Sequence, residues 1–307
     1  MVPVTYRHSL PPLRFSGDDE RVGRHDNDRT VKLHGIRGRP FVDMTPFIEL
    51  DDARAAELDD EVTVGLASVE TSYTGGSLQW MGVTAPWVRD AGYVDYMDVI
   101  PNLPRAEFVR FVALGPNPEA FDPDKRADYT FGDETDHPLT LAQMRWLKYR
   151  HRVYFPWRCY HLLENDRWED KRSGDGKSFS DEARRVFPKT VALIEELPFV
   201  EMGRVVVFGI EPNDHAPDHR DSEPGRALSI AHSMTLDFRG DKGLTLTDPS
   251  RSERVRIDTR AYWFNDMDYH GVDPAPFFRY SIRIDGTYEP DFLEKALRVR
   301  APNATSR

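Results

Sequence analysis

The chain has 307 residues, 39% of them apolar and 30% charged, which is the balance of a globular protein and not of a disordered or fibrous one. Its formal net charge of -11 argues against a broad nucleic-acid footprint, which needs clustered Lys and Arg. With one cysteine, Cys159, neither an intrachain disulfide nor a Cys-rich zinc site can form, and a reducing compartment fits.

Residues 1–45 are polar and rich in Arg, Asp and Gly, an irregular segment. The first residues hold no apolar stretch of the signal-peptide kind, and no run approaches a membrane span. A cytoplasmic protein with no membrane partner is therefore expected. Residues 51–62 read as a short helix. Residues 63–115 mix short apolar runs with Gly and Pro, and periodicity does not decide between strands and short helices. A Pro/Asp-rich connector spans 115–138. Leu139 to Arg150 reads as a helix with Leu141, Met144 and Leu147 near one face, and Pro156 should end or kink the chain beyond it. Cys159, inside Trp157-Arg-Cys-Tyr, reads as a core residue. Asp166 to Ser180 is a charged, Gly-containing loop, a candidate lid. Ser180 then caps a helix running to about Glu196, with Val186, Phe187, Val191 and Ile194 inward.

From residue 203 the pattern turns to short β-prone runs: Arg204–Ile210, Ala227–Met234, Leu244–Thr247, Val255–Asp258, Ala261–Phe264 and Phe278–Ile284. Strands at this spacing form an antiparallel sandwich or barrel. The expected organisation is an N-terminal extension of helices and lid segments over 1–197, a β core over 198–290 and a C-terminal helix or tail over 291–307. Together they form a single structural domain.

The chemistry gathers in the β core. His219-Arg-Asp221 is a His-x-Asp, and on extended backbone positions two apart project to one side. His270 ends a later strand-like run and can supply a second imidazole. Two imidazoles and a carboxylate on one face, with the other positions open, suit iron(II) oxygen chemistry. Further on, Arg279 and Ser281 share a strand face. A fork-shaped guanidinium beside a hydroxyl suits a buried carboxylate.

His-x-Asp, a distal His and then Arg-x-Ser resembles the iron(II)/2-oxoglutarate-dependent oxygenase superfamily over about residues 200–286, and the interval from Asp221 to His270 is usual for it. The resemblance implies a double-stranded β-helix, or jelly-roll, core. It implies His219, Asp221 and His270 as iron ligands, Arg279 and Ser281 as the clamp on 2-oxoglutarate, and hydroxylation of a C–H bond with dioxygen. Arg283 competes for the clamp, and Asp218 is an alternative carboxylate ligand. His215 is expected near the site or exposed, Tyr262 and Asn265 along the pocket, and Asp268 in a solvated loop or behind His270. Arg226 has a weak likeness to an arginine of aspartyl/asparaginyl hydroxylases. The substrate expected is an amino-acid residue within a peptide, such as histidine or aspartate in a ribosomal natural-product precursor. The aromatic-rich 146–160 region would build its groove. A free amino acid or a small natural product is the second choice. Other classes are a non-catalytic cupin-like metal-binding protein and an oxidase of the isopenicillin N synthase kind.

Overall fold

Residues 33–88, 92–132, 135–166, 170–225 and 230–298 are described by the structure, a computed structural model. The expectations for residues 1–32 and for Arg226 lie outside them.

The N-terminal part supplies strands as well as helices. β1 is Phe41–Asp43, β2 Ser72–Thr74, β3 Val83–Thr84 and β4 Trp157–His161. α1, Asp52–Ser68, runs past the expected end at Val62 and starts on the Asp51 carboxylate, which accepts from the Arg54 amide at 2.8 Å. The stretch over 63–115 that periodicity left open holds both kinds, β2 and β3 and then α2, Tyr96–Val99, and α3, Arg105–Val112. α4, Leu141–His151, opens on a Thr140/Gln143 capping box. The helix expected over 181–196 is two: α5, Asp181–Val186, capped by Ser180 as expected, and α6, Pro188–Glu195. Pro188 causes the break. It pushes Phe187 out of helical backbone (φ -123°, ψ 47°), and the Phe187 ring is fully buried at the bend.

Eight more strands complete the sheets: β5, Phe199–Ile210; β6, Ala216–Arg220; β7, His232–Leu236; β8, Leu244–Thr247; β9, Arg254–Arg256; β10, Ala261–Phe264; β11, Tyr269–Val272; and β12, Arg279–Tyr288. α7, Pro290–Arg298, closes the described chain. The strands form two antiparallel sheets. One has the order β1-β10-β7-β12-β5-β4-β2 and the other β3-β6-β11-β8-β9, so N-terminal strands extend both.

β12 shows how sequence alternation sorts the interior. Tyr280, Ile282 and Ile284 point to a core shared with α1, α6 and α7, through Leu58, Val62, Val191, Ile194 and Phe292. Arg279, Ser281, Arg283 and Asp285 lie between them in sequence and are also buried, so they occupy the opposite face. A smaller apolar layer that includes Ile210, Leu246, Tyr262, Phe264 and Val272 draws on both sheets. A third cluster, Tyr96, Phe108, Phe111, Phe131, Leu147 and Phe155, unites α2, α3 and α4. Cys159 is buried in β4, as expected. Among the described residues no helix is long and apolar enough to cross a membrane.

Candidate metal centre

β6 and β11 pair so that His219 and His270 stand directly opposite each other. Asp221 comes just after β6, and its amide donates to the Asp266 carbonyl at 2.8 Å. Cross-strand neighbours place side chains within contact distance, and the two imidazole centroids lie 4.4 Å apart. Asp221 Oδ1 is 3.9 Å from His219 Nε2 and 3.7 Å from His270 Nε2. One ligand atom from each residue falls within 4.8 Å of the others.

The hydrogen bonds set the protonation state. His219 Nδ1 lies 2.9 Å from the Pro217 carbonyl, and His270 Nδ1 lies 2.9 Å from the Asp268 carbonyl. A carbonyl only accepts, so each Nδ1 carries the proton and each Nε2 presents a lone pair. Burial lowers the pKa of both rings. For His270, burial with the neighbouring His219 takes it down to about 3. Burial by itself would raise the Asp221 carboxyl, but the Arg283 and Lys171 cations hold it well below the usual carboxylate range. Two bare nitrogens and a carboxylate oxygen therefore converge with no donor among them. A cation is the group that satisfies such a set.

Asp221 has its other oxygen occupied. Oδ2 accepts from Arg283 Nη2 at 3.0 Å and Lys171 Nζ at 3.3 Å, which aims Oδ1 at the imidazoles. The same two cations reach Asp266 Oδ2 at 3.3 and 3.4 Å. Arg283 Nε also donates to Asp285 at 3.0 Å, and Asp285 accepts from Arg204 at 2.8 Å. Sequence reasoning leaves Arg283 as a spare clamp and does not single out Lys171, Asp266 or Asp285. Lys171 lies in the expected lid loop, the one signal that could have found it.

A cavity of about 510 Å³ opens on the triad. Its lining includes the half-buried Phe208 and the buried Thr235, Lys242, Tyr262 and Ser281. Lys242 Nζ donates to Ser281 Oγ. Burial lowers its pKa to about 8, opposed by Asp237. The Asp237 carboxylate also builds the turn that carries Lys242, accepting from the Gly240 and Lys242 amides at 3.0 and 2.9 Å. Gly240 and Gly243 sit at φ +70° and +69°, the left-handed backbone this turn needs.

Arg279 is elsewhere. Its guanidinium donates to the carbonyls of Lys242 (3.2 Å), Asp273 (2.7 Å) and Asp214 (3.2 Å), and it does not line the cavity. Ser281 and Tyr262 do line it. Asn265 instead donates to the Gly35 carbonyl at 2.9 Å. Asp268 is buried, not solvated. Its carboxylate accepts from the His34 and Gly35 amides at 2.7 and 2.8 Å while its carbonyl fixes His270. His215 stacks on Tyr154 at 5.1 Å and is not in the triad. Asp218 is not in it either: it accepts from Trp87 Nε1 at 2.8 Å.

No protein-family model matches the chain, and no curated protein matches it. Solved structures align with parts of it. A Trichoplax adhaerens prolyl hydroxylase, solved with a peptide of the hypoxia inducible factor oxygen degradation domain, is 16% identical over 49% of this chain and 72% of its own, at a TM-score of 0.27. A Pseudomonas putida prolyl-4-hydroxylase is 11% identical over 44% of this chain and 74% of its own, at a TM-score of 0.26. A cupin domain from Bordetella pertussis is 13% identical over 27% of this chain and 78% of its own, at a TM-score of 0.20.

Proposed function

We propose that the chain is an iron(II)/2-oxoglutarate-dependent oxygenase that hydroxylates a C–H bond, with its two sheets forming a jelly-roll around the site. The observation that carries the reading is the triad. His219 and His270 turn unprotonated Nε2 atoms, and Asp221 turns one free oxygen, toward a common point at the head of a cavity. Two imidazoles and one carboxylate leave coordination positions open, the donor set of non-haem iron(II) oxygenases. Iron(II) with 2-oxoglutarate and dioxygen would supply oxidative decarboxylation to succinate and carbon dioxide, coupled to insertion of one oxygen atom into the C–H bond.

The protein's own part is positional. Arg283 and Lys171 hold Asp221 ionised and turned so that one oxygen faces the metal position. The Pro217 and Asp268 carbonyls set the imidazole tautomers. Lys242 with Ser281 is the clamp for the distal carboxylate of 2-oxoglutarate, a buried cation and hydroxyl side by side on the cavity wall. Arg279, the residue the sequence motif points to, acts one step behind by holding the Lys242 carbonyl. Lys242 is the functional residue that sequence reasoning missed.

The test is succinate formation from 2-oxoglutarate by the iron(II)-loaded protein in air, beside the His270→Ala variant. Wild-type turnover that the variant lacks supports the reading. No succinate under any condition, with iron bound, rejects it.

A further inference from the structure

Resting on the oxygenase reading, we propose that the group oxidised belongs to an uncharged, ring-bearing small molecule, not to a zwitterionic amino acid or a residue inside a peptide.

One wall of the cavity is made by the N-terminal part. Tyr73, Trp80, Met81, Met144, Phe155 and Trp157 line it, and the polar side chains beside them, Thr74, Ser77 and Gln79, are neutral. The rings already pack on one another, with Tyr73 and Tyr96 lying 6.0 and 6.3 Å from Phe155. Trp157 also meets the His219 ring edge-on at 5.2 Å, so this wall adjoins the metal position. Aromatic faces of this kind favour another ring at offset or edge-on geometry.

Charge excludes the zwitterion. The cations that line the cavity are Lys171, Arg204, Lys242 and Arg283, and the one lining carboxylate is Asp221, among the described residues. Lys171, Arg204 and Arg283 are spent on Asp221, Asp266 and Asp285. Lys242 faces Asp237 and Ser281 at the clamp. A divalent iron and a dianionic co-substrate cancel each other. Among the described residues no lining charge is left over for a substrate ammonium or carboxylate, and burying either unpaired against rings is unfavourable.

Shape argues against a continuing peptide. The segment Gly75–Gly82 crosses from β2, at the edge of one sheet, to β3, at the edge of the other, and lines this wall. It lies flat on the rings: a Cβ on Gly75 would come within 2.4 Å of the Trp157 ring, and one on Gly76 within 2.3 Å of Phe155. The buried Asp95 pins it, accepting from the Leu78 amide at 2.7 Å and Ser77 Oγ at 3.2 Å, while the Tyr96 amide donates to the Gly76 carbonyl at 3.1 Å. A strap fastened at both ends over a cavity of about 510 Å³ suits a compact ligand.

Calorimetric titration of the metal-free full chain with 2-naphthol, L-2-naphthylalanine and N-acetyl-2-naphthylalaninamide tests this, and needs neither iron nor turnover. The oxygenase reading can therefore fail, by absence of succinate, without deciding this result. 2-Naphthol should bind at least tenfold more tightly than either amino-acid form. Trp80→Ala should weaken it at least fivefold, and saturating 2-oxoglutarate with manganese(II) should not displace it. Equal or tighter binding of L-2-naphthylalanine would overturn the neutral-substrate claim. Equal binding of the blocked amide would overturn the small-molecule claim. Both comparisons use the wild-type chain and hold even if the variant fails to fold.

Discussion

Replacing Lys242 with Met should push stability and co-substrate affinity in opposite directions. The ammonium is fully enclosed, and burial lowers its pKa from 10.5 to about 8. That shift corresponds to roughly 3 kcal/mol of destabilisation of the charged form at neutral pH. Met fills the same unbranched volume with no charge to bury, so the ligand-free variant gains stability up to that figure. At roughly 2 °C per kcal/mol for a chain of this size, melting should rise by up to about 6 °C. The pH dependence carries the same sign. Between about pH 8 and the unfolded value of 10.5 the unfolded chain holds the extra proton, so wild-type stability rises with pH across that window. The Lys242→Met variant should lack this rise. For 2-oxoglutarate the effect reverses, because its distal carboxylate would be buried without a cation, at a cost of about 2–5 kcal/mol, or at least thirtyfold in affinity. Thermal denaturation at pH 7, 8.5 and 10, together with anaerobic titration of 2-oxoglutarate into the iron(II)-loaded protein, measures both. A variant that binds 2-oxoglutarate within threefold of wild type, or melts several degrees lower without ligand, refutes the assignment of Lys242 as the clamp.

Asp221→Asn keeps the side-chain shape but removes the charge, and should lower iron(II) or manganese(II) affinity by at least about 100-fold with the far-ultraviolet circular dichroism unchanged. Arg279→Met strips a charged donor from three carbonyls, that of the buried Lys242 and those of Asp273 and Asp214 nearer the surface. It should destabilise the protein by about 2–4 kcal/mol in urea denaturation while costing less 2-oxoglutarate affinity than Lys242→Met does. Gly82→Ala places a methyl 2.4 Å from the Arg220 carbonyl at a residue with φ +79°. Since Arg220 sits between His219 and Asp221, the variant should lose about 1–3 kcal/mol of stability and bind metal more weakly, as denaturation and metal titration would show.

The triad was legible because its information is local. The His-x-Asp needs only strand periodicity, and the partner strand brings His270 into register opposite His219. Ser281 was legible for the same reason. Lys242 was not, because it lies between Gly240 and Gly243 in a stretch that reads as a solvated turn. Only Asp237, gathering the turn amides, and Arg279, pulling on the Lys242 carbonyl, send its side chain inward. Arg279 is the complementary case. It shares a strand face with Ser281, while its guanidinium reaches the Lys242, Asp273 and Asp214 carbonyls, partners that no local pattern announces. β2 and β3 fall in the stretch that periodicity left open between strand and helix, and β1 and β4 were not read as strands. Runs of two to five residues carry little period of their own, and these become strands through the neighbours that receive them in the sheets.

The buried charges explain how a metal site can be folded before it is filled. A carboxylate facing two imidazoles in a dry cavity would ordinarily take up a proton, and the metal would then have to displace it. Here Asp221 shares Arg283 and Lys171 with Asp266, while Arg283 and Arg204 share Asp285, so three cations face three anions. The arrangement keeps Asp221 ionised through one oxygen and leaves the other for the ion. The protons that could still obstruct binding would have to sit on His219 and His270, and burial has already removed them at neutral pH. Metal uptake near pH 7 should then release almost no protons, unlike a site whose ligands must first be deprotonated. The heat of manganese(II) binding measured in two buffers of different ionisation enthalpy reads that number directly. A release near one proton per ion would mean that the Asp221 carboxyl or an imidazole is protonated in the free protein, and the donor set inferred from the hydrogen bonds would be wrong.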